Sequence, residues 1–224
     1  MSTMEYLEKK FGLHKGNPHK LESFLREDMY KMFAEMRLNT GVEIGVEKGK
    51  NAQTMFEIIP GLKLFGVDPY KQHPQASYAY DAARRGWDDK RLQNWKRQCL
   101  NRMKGKNFAL FEGFSEDVVK RIEDNSLDFF YLDADHSYDF VMQDIILWGR
   151  KIRKGGIISG HDYYPNKDRS PRRAKVTQAI DDYTNVHGIK FYITSEDHSV
   201  LRGDIYPSWF WVKLEDVWPN VIGA

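Results

Sequence analysis

The chain has 224 residues, 41% of them hydrophobic and 29% charged, with a formal net charge of +2, the profile of a soluble globular protein with a full core rather than of a disordered chain. No run approaches the roughly 18 consecutive apolar residues of a membrane-spanning helix, and the opening MSTMEYLEKKFGL lacks the apolar core of a signal peptide. The length suits one domain over 1–224, and the lone Cys99 excludes an intrachain disulfide, so the expected setting is the reducing cytoplasm, away from membranes.

In chain order, Leu21, Leu25, Met29, Met32 and Met36 recur at helical spacing through LESFLREDMYKMFAEM. This predicts a helical N-terminal extension over 1–39, with the methionines as core filler. Thr40 to Gln53 (TGVEIGVEKGKNAQ) then reads as a buried strand carrying Val42, Ile44 and Val46, a turn permitted by Gly45 and Gly49, and a helix from Ala52 to Ile59. Backbone N–H groups at the start of such a helix bind a carboxylate or phosphate, while Glu43 offers an anion to a cationic partner. The glycine spacing is not the GxGxxG of a dinucleotide fold, so this stretch alone leaves a ligand site and an ordinary turn both open. Leu62 to Val67 is a second strand, ending on Asp68. In nucleoside-binding βαβ units a carboxylate there accepts hydrogen bonds from ribose hydroxyls, and Asp68 follows Gly45 at about the expected 20 positions. The bland alternative is a turn-forming aspartate.

Residues 70–106 show no strand pattern and predict a helical insertion or lid, with Tyr78, Tyr80, Trp87 and Trp95 among many Arg and Lys and Cys99 as a helix residue. Asn107 to Phe111 is a third strand, followed by a turn over Glu112, Gly113, Phe114 and Ser115, with Ser115 as N-cap of the next helix. A fourth strand, Leu127 to Leu132, delivers Asp133, Asp135 and His136, and Ser137 caps a helix with Val141, Ile145, Trp148 and Ile152 along one face. Ile157 to Ser159 is a fifth strand, closed by Gly160, His161 and Asp162. A helix within Pro171 to His187 and an antiparallel pair, Ile189 to Thr194 with Trp209 to Lys213, complete the chain. Alternating strands and helices imply an α/β, doubly wound, mostly parallel sheet with an antiparallel edge pair.

Ligands of such sheets bind outside the carboxyl ends of the strands, where this sequence concentrates carboxylates. If the fourth and fifth strands are neighbours, their ends lie about 5 Å apart, and Asp133 and Asp162 can share one cation. His136 reads equally as a turn residue or a general base; His161 is a further candidate base. Tyr163 and Tyr164 line a substrate pocket or pack against Pro165. His14, His19, His73, His187 and His198 have no partner motif and read as surface residues.

From Thr40 to Lys213 the chain resembles the class I S-adenosylmethionine-dependent methyltransferases. VEIGVEKGKNAQT resembles the first motif of that family, and FYLDADHSYDFVMQDIILWGRKIRKGGIISGHDYY is similar to the combined fourth and fifth motifs of its bacterial metal-assisted O-methyltransferase-like branch. The resemblance implies a Rossmann-like fold in which Glu43 and the Gly45–Gly49 turn hold the methionine part of S-adenosylmethionine, Asp68 the ribose, and Phe114 and Ser115 the adenine edge. Asp133 and Asp162 fall on positions that ligate a divalent metal, magnesium or manganese. Two departures stand out: Glu47 takes the place of the middle glycine of the first motif, and His161 that of an acidic metal ligand. Histidine beside carboxylates suits manganese, iron or zinc better than magnesium.

The implied reaction is methyl transfer to a hydroxyl of a small molecule or sugar, with His136 or His161 taking the proton. A nicotinamide-dependent oxidoreductase shares the βαβ start, but the glycine spacing and the LDADH and GHDY blocks oppose it. A non-catalytic nucleic-acid-binding module is opposed by the retained carboxylates and the lack of a recognised binding motif. The acceptor is read from charge. Between Tyr70 and Lys106 ten basic residues, among them Arg84 and Arg85, face three acidic ones, a local charge of +7, and Lys167, Arg169, Arg172, Arg173 and Lys175 follow the fifth strand. These predict either a solvated helix face or a positive rim for an anionic acceptor, such as a phosphorylated or nucleotide-linked sugar, with Tyr78, Trp87 or Trp95 stacking on its rings.

Overall fold

The computed structural model describes residues 1–71, 87–164, 174–196 and 206–215. Tyr78, Tyr80, His73, Arg84, Arg85, Pro165, Lys167, Arg169, Pro171, Arg172, Arg173 and His198, singled out above, lie outside them.

The described strands form one sheet. In chain order the elements are α1 (Thr3–Phe11), β1 (His19–Lys20), α2 (Arg26–Glu35), β2 (Thr40–Ile44), α3 (Lys50–Ile58), β3 (Lys63–Asp68), α4 (Asp89–Arg102), β4 (Phe108–Glu112), α5 (Ser115–Val118), β5 (Leu127–Leu132), α6 (Tyr138–Gly149), β6 (Ile152–Gly160), α7 (Ala174–Val186), β7 (Tyr192–Ile193) and β8 (Trp209–Val212). The sheet order is β1-β7-β8-β6-β5-β2-β3-β4. All neighbouring pairs are parallel except those of β8, which runs against both β6 and β7.

Alternation along the strands sends side chains to two cores. On β5, Phe129 and Tyr131 join Leu7, Tyr30, Phe33, Met55 and Cys99 on the face covered by α1 to α4. Phe130 and Leu132 join Val42, Ile44, Ile145, Trp148 and Ile180 on the face covered by α6 and α7. Helices on both faces of a largely parallel sheet make the doubly wound arrangement, and its strand order reverses between β2 and β5.

Four expectations are corrected. Residues 1–39 are not purely helical, because His19 and Lys20 pair with Tyr192 and Ile193 as the outermost strand. The antiparallel pair is β7–β8, but β1 covers its edge. Ile152 opens β6 rather than ending the preceding helix, which stops at Gly149; the apolar period continued across a change of element. His14 and His19 are half-buried rather than surface residues: His14 Nε2 lies 3.0 Å from the Phe191 carbonyl, and both rings pack on Tyr192.

Candidate active site

The site lies where the strand order reverses. After β2 the chain turns at Gly45, with φ of 90°; a Cβ there would lie 2.0 Å from the Asp133 carbonyl oxygen. Glycine is therefore required for the end of β5 to come this close, and the approaching backbone belongs to the protein itself. Gly49, in the left-handed region at φ of 71°, stands at the N-cap of α3, where its N–H bonds the Val46 carbonyl at 2.8 Å.

Asp68, at the end of β3, ties two turns together. Its Oδ2 accepts from the Glu47 N–H and its Oδ1 from the Tyr70 N–H, both at 2.9 Å. Burial pushes its carboxyl up to about 6, against the pull of those two N–H groups. The Tyr70 hydroxyl reaches the Glu47 carbonyl at 2.7 Å and closes the same loop.

After β4, Phe114 is the N-cap of α5 and Ser115 its first residue, so Ser115 is not the cap expected from sequence. Its hydroxyl accepts from Trp148 Nε1 at 2.6 Å and donates to the Asp144 carboxylate. Beyond β5, Asp135 Oδ1 accepts from the Ser137 N–H at 2.7 Å, the turn role offered for it above. His136 points back at the strand ends, its Nε2 lying 3.5 Å from Asp133 Oδ1 and 3.0 Å from Asp162 Oδ2.

β5 and β6 are neighbours, with Leu132 opposite Gly160. His161 and Asp162 therefore emerge beside Asp133. Asp162 is buried in the left-handed region at φ of 61°, a conformation aspartate tolerates better than most residues. Three hydrogen bonds fix the turn: His161 N–H to Leu132 O, Tyr163 N–H to Pro207 O, and Trp209 Nε1 to His161 O, each 3.0 Å. His161 Nδ1 lies 3.5 Å from Asp162 Oδ1. Burial disfavours the charged form of His136, but Asp133 and Asp162 outweigh it and raise its pKa.

A cavity of about 330 Å³ runs along these strand ends, its walls including Gly45, Asp68, Trp95, Phe114, Ser115 and Asp133. His136 lines it as well. Asp162 closes on His136 from behind, and His161, Glu43 and Gly49 are not among the lining residues. Glu43 is buried on β2, where its Oε1 accepts from Asn51 Nδ2 at 2.9 Å and its Oε2 has no hydrogen-bond partner among the described residues. Burial pushes its carboxyl up to about 8, so at neutral pH it is mostly uncharged. Tyr163 is also buried away from the cavity, with its hydroxyl on Asp181 at 2.7 Å. Trp87 and Trp95, read from sequence as aromatic residues for the acceptor, do line the cavity, and α4 adds Leu92 to the same wall. Leu92 and Asp144 went unread in the sequence, and the signal for Asp144 was available: an acid on the apolar face of α6, between Val141 and Trp148.

A methyltransferase-domain family matches residues 42–163. No curated protein matches the chain by sequence. Solved structures of similar fold include a Corynebacterium glutamicum protein, 12% identical with a TM-score of 0.58 over 96% of this chain and 89% of that one. An O-methyltransferase from Bacillus cereus in complex with SAH is 14% identical, with a TM-score of 0.57 over 94% of this chain and 90% of that one. The O-methyltransferase TomG from Streptomyces achromogenes, in complex with SAM, is 14% identical, with a TM-score of 0.51 over 92% and 86%. The family match takes in β2 to β6 and every loop that lines the cavity, and the chain thus belongs to the methyltransferase-domain family, on the class I, S-adenosylmethionine-dependent methyltransferase fold.

Proposed function

We propose that the protein transfers a methyl group from S-adenosylmethionine to a hydroxyl of an anionic small molecule or sugar, with a divalent cation held by Asp133, His136 and Asp162. The observation that carries this reading is the clustering of Asp133, His136 and Asp162, of which Asp133 and His136 line the same cavity as Asp68, Phe114 and Ser115.

The chain fits both groups. Each Asp68 oxygen keeps a lone pair after accepting one backbone N–H, which is what two ribose hydroxyls need. One ligand atom from each of Asp133, His136 and Asp162 lies within 4.8 Å of the others, and two carboxylates with an imidazole suit manganese better than magnesium. When bound, the cofactor supplies an electrophilic methyl group and the cation lowers the pKa of the acceptor hydroxyl. Asp68 orients the ribose, Phe114 and Ser115 line the adenine end, and Trp87, Leu92 and Trp95 keep water from one wall. His161, set behind Asp162, positions that carboxylate.

A second reading rests on the 3.0 Å contact of His136 Nε2 with Asp162. In it no metal takes part: Asp162 holds the ring through Nε2, and Nδ1 is the basic atom that receives the acceptor proton. The basic segment from Tyr70 to Lys106 supports the anionic acceptor, and among its described members Lys71 lies 4.6 Å from the ring of Phe114 and Arg91 5.5 Å from that of Trp95, both residues of the cavity wall. The buried free thiol of Cys99 supports a cytoplasmic setting, and a single sheet supports one domain over 1–224.

Calorimetry on chelator-treated protein tests the reading. S-adenosylhomocysteine should bind, and Asp68→Ala should weaken it tenfold or more, since a charge-assisted hydrogen bond is worth about 1.5 to 3 kcal/mol. Mn²⁺ should bind the wild type and neither Asp133→Asn nor Asp162→Asn, while both variants keep their thioether affinity. A protein that binds no divalent cation hands the reaction to His136 alone. Tight NADH binding with none of S-adenosylhomocysteine overturns the methyltransferase cofactor.

A further inference from the structure

We infer that Asp144 is the residue that selects a 6-amino purine, accepting a hydrogen bond from the exocyclic amine of the cofactor's adenine through Oδ2. The inference rests on the proposed cofactor and adds a specificity residue to its site.

Hydrogen-bond direction fixes the state of each polar atom around Asp144. Trp148 is fully buried, and an indole N–H only donates, so its 2.6 Å contact makes Ser115 Oγ an acceptor. The one hydrogen of the Ser115 hydroxyl is thereby directed to Asp144 Oδ1, which must accept it. Both bonds are fixed by side chains of α5 and α6, and they leave Asp144 with Oδ2 as its one oxygen that accepts no hydrogen bond from the described residues. Asp144 is 3% exposed and lines the cavity together with Phe114, Ser115 and Phe140. A carboxylate nearly removed from water, with one oxygen spent and the other bordering a cavity, is unfavourable unless a ligand donates to it. The adenine amine is the donor the cofactor brings to this end, because Asp68 sets the ribose on the adjoining β3 loop.

A 6-oxo ring places a carbonyl oxygen where the amine would be and meets the carboxylate with repulsion. Discrimination therefore needs the ionised form. Burial, with Glu116 of α5 and Asp135 of the β5–α6 turn adding negative charge, pushes Asp144 up to about 7, against the pull of the Ser115 hydroxyl. Protonated, Asp144 donates instead, and a 6-oxo ring becomes acceptable.

The experiment is calorimetric titration of the full chain with S-adenosylhomocysteine and with S-inosylhomocysteine. Wild type should prefer the amino compound at least tenfold at pH 8.5, and the preference should shrink several-fold at pH 6. Asp144→Ala should lose about tenfold in affinity for the amino compound, hold the oxo compound within twofold, and show no pH dependence in their ratio. An Asp144→Ala protein that retains the wild-type preference overturns the inference. Should that variant fail to fold, a wild-type preference that stays constant from pH 6 to 8.5 overturns it equally. Failure of both thioethers to bind removes the cofactor reading and this inference with it, whereas binding of both with equal affinity at pH 8.5 removes the inference alone.

Discussion

A single methyl group at position 45 would collide with the Asp133 carbonyl at 2.0 Å and would also force φ of 90° on an L-residue. The clash is with backbone on both sides, so no side chain can swing away to relieve it. Gly45→Ala should cost at least about 2 kcal/mol, roughly 4–8 °C in Tm for a chain of this size, and should weaken cation binding by moving Asp133. Thermal unfolding and Mn²⁺ titration read the two effects separately. Glu43 makes the opposite case, a charge the fold keeps from forming. Its pKa rises from 4.5 to about 8 on folding, so the native state holds the proton more tightly than the unfolded chain does. Stability is then lost as pH climbs from about 4.5 towards 8, and above 8 the whole cost is present. Glu43→Gln keeps an acceptor for Asn51 and has no such cost. Its Tm advantage over wild type should be absent near pH 4 and grow up to about pH 9; a difference that stays flat with pH would show that Glu43 ionises freely in the native state.

Among the elements, β8 does the least expected work. It is the one strand antiparallel to its neighbours, and its Trp209 reaches across to hold the His161 carbonyl while its indole fills the space over Gly160, where a Cβ would lie 2.4 Å from the ring. Trp209→Phe should lower stability by about 1 to 3 kcal/mol through the lost hydrogen bond and volume, and should reduce cation affinity more than thioether affinity, because the lost bond holds the His161 carbonyl next to Asp162. Paired titrations of the two ligands check the difference. Strands β2 to β5 were legible in the sequence because each is a short apolar run bounded by turn residues, and the alternation in LDFFYL matches the two cores it feeds. Asp133, Asp162 and His136 were legible for a related reason: residues that follow strands in a parallel sheet are bound to meet at one edge. What stayed hidden depends on distant partners. β1 is two residues long and exists only because Phe191, Tyr192 and Ile193 offer it an edge. The burial of Glu43 follows from α2 and α3 closing over it, and the departure of Ser115 from its capping role follows from a tryptophan 33 positions away. Local pattern carries none of this.

At the scale of the whole molecule the net charge is only +2, yet ten basic residues are bunched along the sequence between Tyr70 and Lys106, the segment that also holds the cavity residues Trp87, Leu92 and Trp95. Several basic side chains are already engaged among the described residues: Lys96 pairs with Glu112, Lys48 with Glu47, and the Arg102 guanidinium bonds the Lys48 carbonyl. Lys71 stands 4.6 Å from the Phe114 ring and Arg91 5.5 Å from the Trp95 ring, which puts two basic side chains on aromatic residues of the cavity wall, in keeping with recognition of an anion. The KM for the acceptor should then rise with ionic strength, by several-fold between 50 and 300 mM salt, and rise less in an Arg84→Ala, Arg85→Ala double mutant. Salt-independent KM values in both proteins would remove the case for an anionic acceptor. The described helices include none long and apolar enough to cross a membrane. Finally, the two ends of the fold are stitched to each other. Leu21 N–H bonds Ile193 O, Ser195 N–H bonds Phe24 O, and Asn17 Nδ2 bonds Ile189 O across 172 positions. A nascent chain leaving the ribosome therefore carries β1 with no strand to join until Tyr192 and Ile193 of β7 have been translated. The β2–β5 centre can assemble first, and the seam between β1 and β7 closes last, with a chaperone's usual window of opportunity lying in between.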